Sequence, residues 1–187
     1  MQIQNAGTLA GNLCNASPAA DGVPPLLALE AEVELVSQGG TRRLALDDFV
    51  LGNRMTAKRP DELVAALHIP KTSSRTRSTF LKLGARKYLV ISIVMAALLV
   101  DLEDDGTVAK ARVAVGSCAA RAHRLPAVEK ALQGQAFDPD LLTRIGEEQL
   151  DPLSPIDDIR GSADYRRSAA VTLIRRSLDS LLLQEAA

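Results

Sequence analysis

The residues with the most evident chemical potential stand near the start of the chain, in the segment GTLAGNLCNASPAAD that begins at Gly7. So many small side chains bury little surface, and their density predicts that backbone lies close to a bound group or another segment. Gly7 and Gly11 would let backbone N–H groups face a phosphate, and Thr8 and Asn12 offer short polar side chains. Asp21 could accept hydrogen bonds from sugar hydroxyls. The pattern indicates an anion-cradling loop, with a tightly packed turn that binds nothing as the alternative.

Two common phosphate-binding loops do not match this segment. A Walker A loop ends in Gly-Lys-Ser or Gly-Lys-Thr, whereas Gly11 is followed by Asn12. The glycine spacing also differs from the GxGxxG turn of a dinucleotide-binding unit, and no strand–helix pair surrounds it. The loop is therefore of a different kind.

Composition excludes several classes of partner. The 187 residues suffice for one ordinary domain or two small ones, and 47% hydrophobic with 24% charged residues is typical of a globular protein. A formal net charge of −1 gives no field to attract nucleic acid or an anionic membrane. Aromatic residues make up 3%, too few for the stacking platforms of single-strand binders. We expect no nucleic-acid partner and no membrane partner.

The cysteines and the chain start favour a cytoplasmic protein. Cys14 and Cys118 have no CxxC neighbours, so neither a disulfide framework nor iron–sulfur ligation by this chain is expected. The first residues are polar, unlike a signal peptide. The most apolar stretch, from Tyr88 to Leu102, is shorter than the ~20 residues of a membrane span.

The first part of the chain predicts a helix and a hairpin. Pro24 and Pro25 can open a short helix, because a first-turn proline lacks only an N–H group that has no partner there. EVELVS, from Glu32, alternates apolar and polar residues like a half-buried strand, and RRLAL returns after the turn QGGT. RPDELVAALHIP predicts a turn or strand that ends at Pro70. The polar segment at residues 71–78 is the best linker.

The second part predicts a small sheet with helices. TFLKL, the apolar run and KARVAVGS predict three antiparallel strands, the last two joined at Asp105-Gly106. LPAVEKALQG predicts a helix closed by Gly134, and DPDLLTRIGEEQL another that is capped by Asp138. Ser162 would cap a long C-terminal helix. The fold class is α+β, with three strands and about three helices in this part.

Against this background, the opening segment resembles a flavin-contacting motif of the FAD-binding medium subunits of molybdenum hydroxylases, the xanthine dehydrogenase and carbon monoxide dehydrogenase type. The motif runs roughly Asn-x-Gly/Ala-Thr-Ile-Gly-Gly-Asn-x-x-x-Ala-Ser-Pro-x-x-Asp, then Pro-Pro-Leu-Leu-Ala-Leu. DDFVLGNRMT, TFLKLGARK and the C-terminal DIRGSADYRRSAAVTLIRRSL are similar to further segments of these subunits, in the same order. Ala10 stands where the family has a glycine.

The resemblance implies a division of the chain. Residues 1–72 would be the C-terminal part of a vanillyl-alcohol-oxidase-like FAD-binding domain, and residues 77–187 the α+β domain that follows it. Such subunits carry a further N-terminal part with a second glycine-rich loop. The chain thus resembles the C-terminal portion of one, through truncation, gene splitting or a misassigned start.

The resemblance also implies roles for residues. FAD would be the cofactor, contacted at its phosphate or ribityl oxygens by four residues: Thr8, Leu9, Gly11 and Asn12. Asp21 would bind sugar or ribityl hydroxyls, Val64 would pack near the ring, and Lys82 would lie near the polar edge of the flavin. Tyr88 is expected in the core rather than stacked on the ring. The C-terminal helix arginines are expected on its surface, where they could face a partner: Arg166, Arg167, Arg175 and Arg176.

The family role implies partners. An iron–sulfur subunit and a molybdenum-cofactor subunit would hold the 2Fe-2S clusters and the molybdopterin, and electrons would pass through the clusters to FAD and on to an acceptor. This chain would bind and tune the flavin and make no bonds itself. The missing N-terminal half of the flavin domain would be a third partner if the subunit is split. The alternative function is a scaffold that docks to these subunits without binding flavin.

Overall fold

The structure, a computed structural model, describes residues 5–86 and 90–185. Within them, helices alternate with antiparallel sheets, so the α+β class is confirmed. Tyr88, expected in the core, lies outside the described residues. Across residues 5–86 and 90–185, no helix combines the length and the apolar character needed to cross a membrane.

The first part builds short helices around a three-stranded sheet. Its elements in chain order are α1 (Leu9–Asn15), α2 (Val23–Ala28), β1 (Glu32–Ser37), β2 (Gly40–Ala45), α3 (Leu46–Phe49), β3 (Val50–Gly52), β4 (Met55–Thr56) and β5 (Leu63–His68). The sheet order is β2-β1-β5, and β3 pairs with β4 separately. The predicted helix at Pro24 and the predicted EVELVS strand are both confirmed, because local turn and alternation signals specify them.

The second part builds a four-stranded antiparallel sheet in the order β6-β7-β8-β9. Its elements are β6 (Thr76–Leu83), β7 (Val94–Leu102), β8 (Val108–Gly116), β9 (His123–Arg124), α4 (Pro126–Leu132), two 3-10 helices (Pro139–Arg144 and Glu147–Gln149) and α5 (Ala163–Glu185).

Three sequence expectations for the second part need correction. The sheet gains β9, whose two residues are too short for an alternation signal. The segment after Asp138 forms 3-10 turns instead of an α-helix, although Asp138 still caps it by accepting a hydrogen bond from the Asp140 N–H. β6 begins at Thr76, so the connection between the two parts is shorter than residues 71–78.

Both faces of the second sheet are covered, which explains the long apolar run. One face of β7, with Ala96, Leu98 and Val100, packs in a core with Ile174 and Leu178 of α5. The other face, with Ala97 and Leu99, packs in a second core together with Leu26 and Leu27 of α2. Since successive residues of a strand point to opposite faces, a strand covered on both sides reads as continuously apolar. The second core therefore joins the two parts of the chain.

Candidate functional site

Thr8 and Gly11 start the first helix. Thr8 is the N-cap of α1, with an extended backbone, and its Oγ1 accepts a hydrogen bond from the Gly11 N–H at 2.9 Å. This is the usual way in which a threonine satisfies a first-turn donor. A Cβ at position 11 would lie 2.9 Å from the same Oγ1, so a larger residue there would require the threonine side chain to shift.

Asn12 and Leu9 lie against Gly22, at the far end of the loop. Asn12 Oδ1 accepts a hydrogen bond from the Gly22 N–H at 3.1 Å. A Cβ at Gly22 would sit 2.9 Å from that oxygen and 3.6 Å from Leu9 Cδ2. Leu9 is nevertheless 57% exposed, so an apolar side chain stands open to solvent beside the loop.

Asp21 and Lys82 meet across the two parts of the chain. Lys82 Nζ, on β6, donates to Asp21 Oδ2 at 2.7 Å. Lys82 pairs with Met95 and Phe80 with Ala97, so both side chains leave the sheet on the face toward α2. Phe80 is 37% exposed, and both charged groups are open to solvent. A carboxylate, an ammonium group and exposed apolar surface thus share this region.

The small residues of the loop are explained by its own packing as well as by any ligand. Ala16 and Ala20 are buried, and Ala16 has a left-handed φ of 44° at the C-cap of α1. Ala10 lies inside α1, where its methyl group fits a right-handed helical backbone. The alternative of a packed turn therefore accounts for Gly11, Gly22 and the buried alanines. The evidence for a ligand comes from the exposed side chains.

Val64 has a different environment from the other predicted site residues. It lies on β5 opposite Leu35, and its half-buried side chain packs against the core that contains Leu13 on the inner side of α1. Asp21 contacts Lys82, and its chain neighbour Gly22 contacts Asn12 and Leu9. Thr8 and Gly11 contact each other at the start of α1, and Val64 has a core contact instead.

A cavity of about 560 Å³ opens next to the loop. Its walls include Ser17 and Pro18 from the loop, Ser92 before β7, Ser117 after β8, and Arg166 from α5. Within the described part of the chain, Ser92 Oγ, Ser117 Oγ and Arg166 Nε are buried without a hydrogen-bond partner. No local sequence pattern predicts this cavity, because its walls come from segments that are distant in the chain.

Arg166 is buried, contrary to the expectation that it lies on the helix surface. It is 3% exposed, and its guanidinium donates to the carbonyls of Ile93 at 2.7 Å and Ser117 at 3.0 Å. It also donates to Asp158 Oδ1 at 2.6 Å. Its position in the sequence could have predicted this burial, because Arg166 begins a row of buried residues at helical spacing that continues with Ala170, Ile174, Leu178 and Leu181.

Two of the other helix arginines also bind the protein itself. Arg167 donates to the Leu153 carbonyl at 2.9 Å, and Arg175 donates to the Ile145 carbonyl at 2.6 Å. Arg176 is exposed, as expected. The first three arginines therefore tie the segment before α5 to the helix.

Asp158 is the acidic partner of this arginine group. Its carboxylate accepts hydrogen bonds from the Arg160 N–H and from the Arg166 and Arg160 side chains. These contacts, the backbone N–H first, lower its pKa from the usual 3.8 to about 2. The carboxylate is therefore held ionised far below neutral pH.

The two cysteines are free and differ in their exposure. Cys118 is buried, and burial raises the pKa of its thiol to about 12, which disfavours the nucleophilic thiolate. Cys14 is exposed. Over residues 5–86 and 90–185, no group of three His, Cys, Asp or Glu side chains is placed to hold a metal ion.

Two family models match this chain. The FAD-binding domain in molybdopterin dehydrogenase matches residues 1–72, and the carbon monoxide dehydrogenase flavoprotein C-terminal domain matches residues 79–181. The second match alone covers more than half of the 187 residues. The chain belongs to the family of molybdenum-hydroxylase flavoproteins.

Individual members of the flavoprotein family agree with this assignment. The nicotine 6-hydroxylase medium subunit of Paenarthrobacter nicotinovorans is 33% identical over 95% of this chain and 61% of its own length. A carbon monoxide dehydrogenase from Hydrogenophaga pseudoflava superposes with a TM-score of 0.89 at 29% identity, over 96% of this chain and 62% of the other. Quinoline 2-oxidoreductase from Pseudomonas putida 86 gives 0.88 at 28% identity, over 98% and 63%. This chain thus spans about three fifths of each of these relatives.

Proposed function

We propose that this chain is the FAD-binding part of a molybdenum-hydroxylase flavoprotein subunit. It would receive electrons from iron–sulfur clusters and pass them through FAD to an acceptor, as part of a flavin-dependent oxidoreductase. The observation that carries the proposal is the contact of Lys82 with Asp21, whose neighbour Gly22 lies against Asn12 and Leu9, in a chain of this family.

The chemistry of this group of residues fits a flavin nucleotide. Asp21 offers acceptors for hydroxyl groups, and Lys82 offers a cation for a phosphate or for the polar edge of the ring. Leu9 and Phe80 supply exposed apolar surface, which an aromatic ring system would cover. The Asp21–Lys82 ion pair is partly hydrated and therefore weak, so a ligand can replace it at little cost.

The residues of this chain would bind and orient the cofactor. The Thr8 cap and Gly11 would hold the first turn of α1 beside the phosphate or ribityl oxygens, with Leu9 and Asn12 next to them. Lys82 would favour negative charge on the flavin, and Val64 would support the ring through the core behind α1. The bound flavin supplies the electron-accepting chemistry.

We also propose the domain division and the partners of this chain. Residues 1–72 would be the C-terminal part of a vanillyl-alcohol-oxidase-like FAD-binding domain, and residues 77–187 the flavoprotein C-terminal domain. The two family matches support this division. The partners would be an iron–sulfur subunit, a molybdenum-cofactor subunit and, if the subunit is split, the N-terminal part of the flavin domain. The two free cysteines suit a reducing cytoplasm.

Titration of the purified chain with FAD, followed by flavin fluorescence and absorbance, tests the proposal. We expect saturable binding, weakened about tenfold in Asp21→Ala because hydrogen bonds to a charged group contribute roughly 1.5–3 kcal/mol each. Lys82→Met should weaken it in the same direction. Matched controls are Asp179→Ala on α5 and Lys130→Met on α4, two exposed positions that should bind like the parent chain.

The alternative outcomes of this titration are informative. Recovery of binding only when the missing N-terminal part is supplied in trans would identify a split or truncated flavin subunit. Absence of binding under both conditions would contradict the proposal and favour the scaffold function. Parent-like affinity in both Asp21→Ala and Lys82→Met would move the flavin site elsewhere on the chain.

A further inference from the structure

Arg166 is a buried cation that has no contact role in the proposed flavin site. Its side chain is 4% exposed, and its guanidinium donates to two backbone carbonyls and to Asp158. Burial of a charge costs free energy unless the charge is fully paired. A buried arginine at this position therefore indicates that its hydrogen bonds have a role that a smaller apolar residue would not fulfil. The two carbonyl contacts indicate what it holds.

The first carbonyl leads to Lys82. Ile93, whose carbonyl accepts from Arg166 Nη1 at 2.7 Å, donates its own N–H to the Leu83 carbonyl at 2.8 Å. Leu83 is the neighbour of Lys82 at the end of β6. Arg166 therefore fixes the place where β6 and β7 pair beside the lysine.

The second carbonyl leads to Asp21. Ser117, whose carbonyl accepts from Arg166 Nη1 at 3.0 Å, donates its N–H to the Pro18 carbonyl at 3.0 Å. Pro18 precedes Asp21 in the same loop. Ser117 has a left-handed φ of 66°, a conformation that a residue with a side chain keeps only where its surroundings hold it. Pro18 binds the peptide group before the Ser117 Cα and Arg166 binds the peptide group after it, and the two contacts stabilise this conformation.

We propose that Arg166 is a positioning residue, which sets the placement of Asp21 relative to Lys82 by binding the two backbone segments that lead to them. The inference rests on the proposed function, since the placement matters for flavin affinity. Arg166 itself touches neither charged group and has no contact role with the cofactor. Its planar fork can serve three acceptors at once, which a lysine ammonium on a flexible chain does not reproduce.

The test compares Arg166→Lys with Arg176→Lys, which changes an exposed arginine on the same helix. The first readout is FAD affinity, measured at a temperature where circular dichroism shows that both variants are folded. The second needs no flavin: a water-soluble carbodiimide joins Asp21 and Lys82 by an amide bond, and mass spectrometry measures the yield. For Arg166→Lys we expect affinity about tenfold weaker and a clearly reduced yield of the Asp21–Lys82 crosslink. Arg176→Lys should match the parent chain in both.

The two readouts distinguish a positioning role of Arg166 from a purely structural role and from failure of the proposed function. A lower melting temperature for Arg166→Lys with unchanged affinity and crosslinking would overturn the inference, because it would show a structural role alone. If the parent chain binds no FAD even when the N-terminal part is supplied in trans, the proposed function fails, and the crosslink yield still decides whether Arg166 positions the pair. If Arg166→Lys does not fold, Asp158→Asn keeps the arginine and loosens its third contact. An unchanged crosslink yield in that variant would also overturn the inference.

Discussion

At the scale of single residues, two carboxylates have a pKa lowered to about 2, and neither belongs to the exposed side chains of the proposed flavin site. Glu62 accepts from the Arg42 side chain and the Arg59 N–H, and these hydrogen bonds, the Arg42 one first, lower its pKa to about 2. Asp158 has an equally low pKa beside Arg160 and Arg166. Each carboxylate orders a segment that lacks regular structure, so their ionisation should matter to folding.

Acid should destabilise the protein through Asp158. Its folded pKa lies below its ordinary value of 3.8, so the unfolded chain takes up the proton first as the pH falls. The stability that Asp158 contributes is therefore complete above about pH 4 and is lost as the pH falls toward 2. We expect Asp158→Asn to be less stable than the parent chain at pH 7 and to converge with it near pH 2. Urea unfolding at a series of pH values measures this.

The control for this experiment is Asp179→Asn, an exposed carboxylate on α5. It should follow the parent chain across the whole pH range. A constant difference between Asp158→Asn and the parent down to pH 2 would contradict the expected role of the ionised carboxylate and would assign the effect to packing.

At the scale of elements, the contact between α2 and the second sheet determines how the two parts of the chain fit together. Gly116 ends β8 at this contact, and a Cβ there would lie 2.9 Å from Pro24 Cγ and 3.0 Å from two atoms of Met95. Met95 is fully buried, so neither neighbour can move into open space. The glycine is required by close packing, not by a special backbone conformation.

Gly116→Ala should therefore destabilise the protein by about 1–3 kcal/mol, the usual cost of an extra methyl group in a well-packed core. Chemical denaturation at neutral pH provides the measurement. Gly52→Ala is the matched control, since Gly52 is also a buried strand glycine but has no atom within 4 Å of the new methyl group. Equal stability of both variants would show that α2 is not held tightly against β8.

The elements also show what the sequence could and could not predict. The β1–β2 hairpin, α2 and the Ser162 cap of α5 were predicted because each is specified by residues adjacent in the chain. β9 was missed because two residues carry no periodicity. The Asp21–Lys82 pair joins residues 61 positions apart, so only the folded chain brings them together. The loop pattern and the resemblance both selected Asp21, the resemblance alone selected Lys82, and no local pattern predicted their contact.

At the scale of the whole molecule, contacts between the two parts are spread along their boundary and are not limited to the linker. Glu30 accepts from Lys110 of β8 at 2.7 Å, and Arg124 of β9 donates to the Leu27 carbonyl at 3.3 Å. The core around α2 contains Ala97 and Ala114 from the second sheet. Removal of either part would expose this shared core, so neither part has an independent hydrophobic interior on that side.

The two parts should therefore unfold together in one transition. Hydrogen exchange against urea concentration measures this, with amides of β1 such as Val33 and Leu35 reporting on the first part and those of β8 such as Val113 and Val115 on the second. All four residues are fully buried in strands, so their exchange requires large openings. We expect the two sets to converge on one free energy of opening and one urea dependence. If β1 opened at lower urea while β8 stayed protected, the boundary between the two parts would be a weak contact. The proposed flavin site spans this boundary through Asp21 and Lys82, so it would then need a bound cofactor to hold the two parts together.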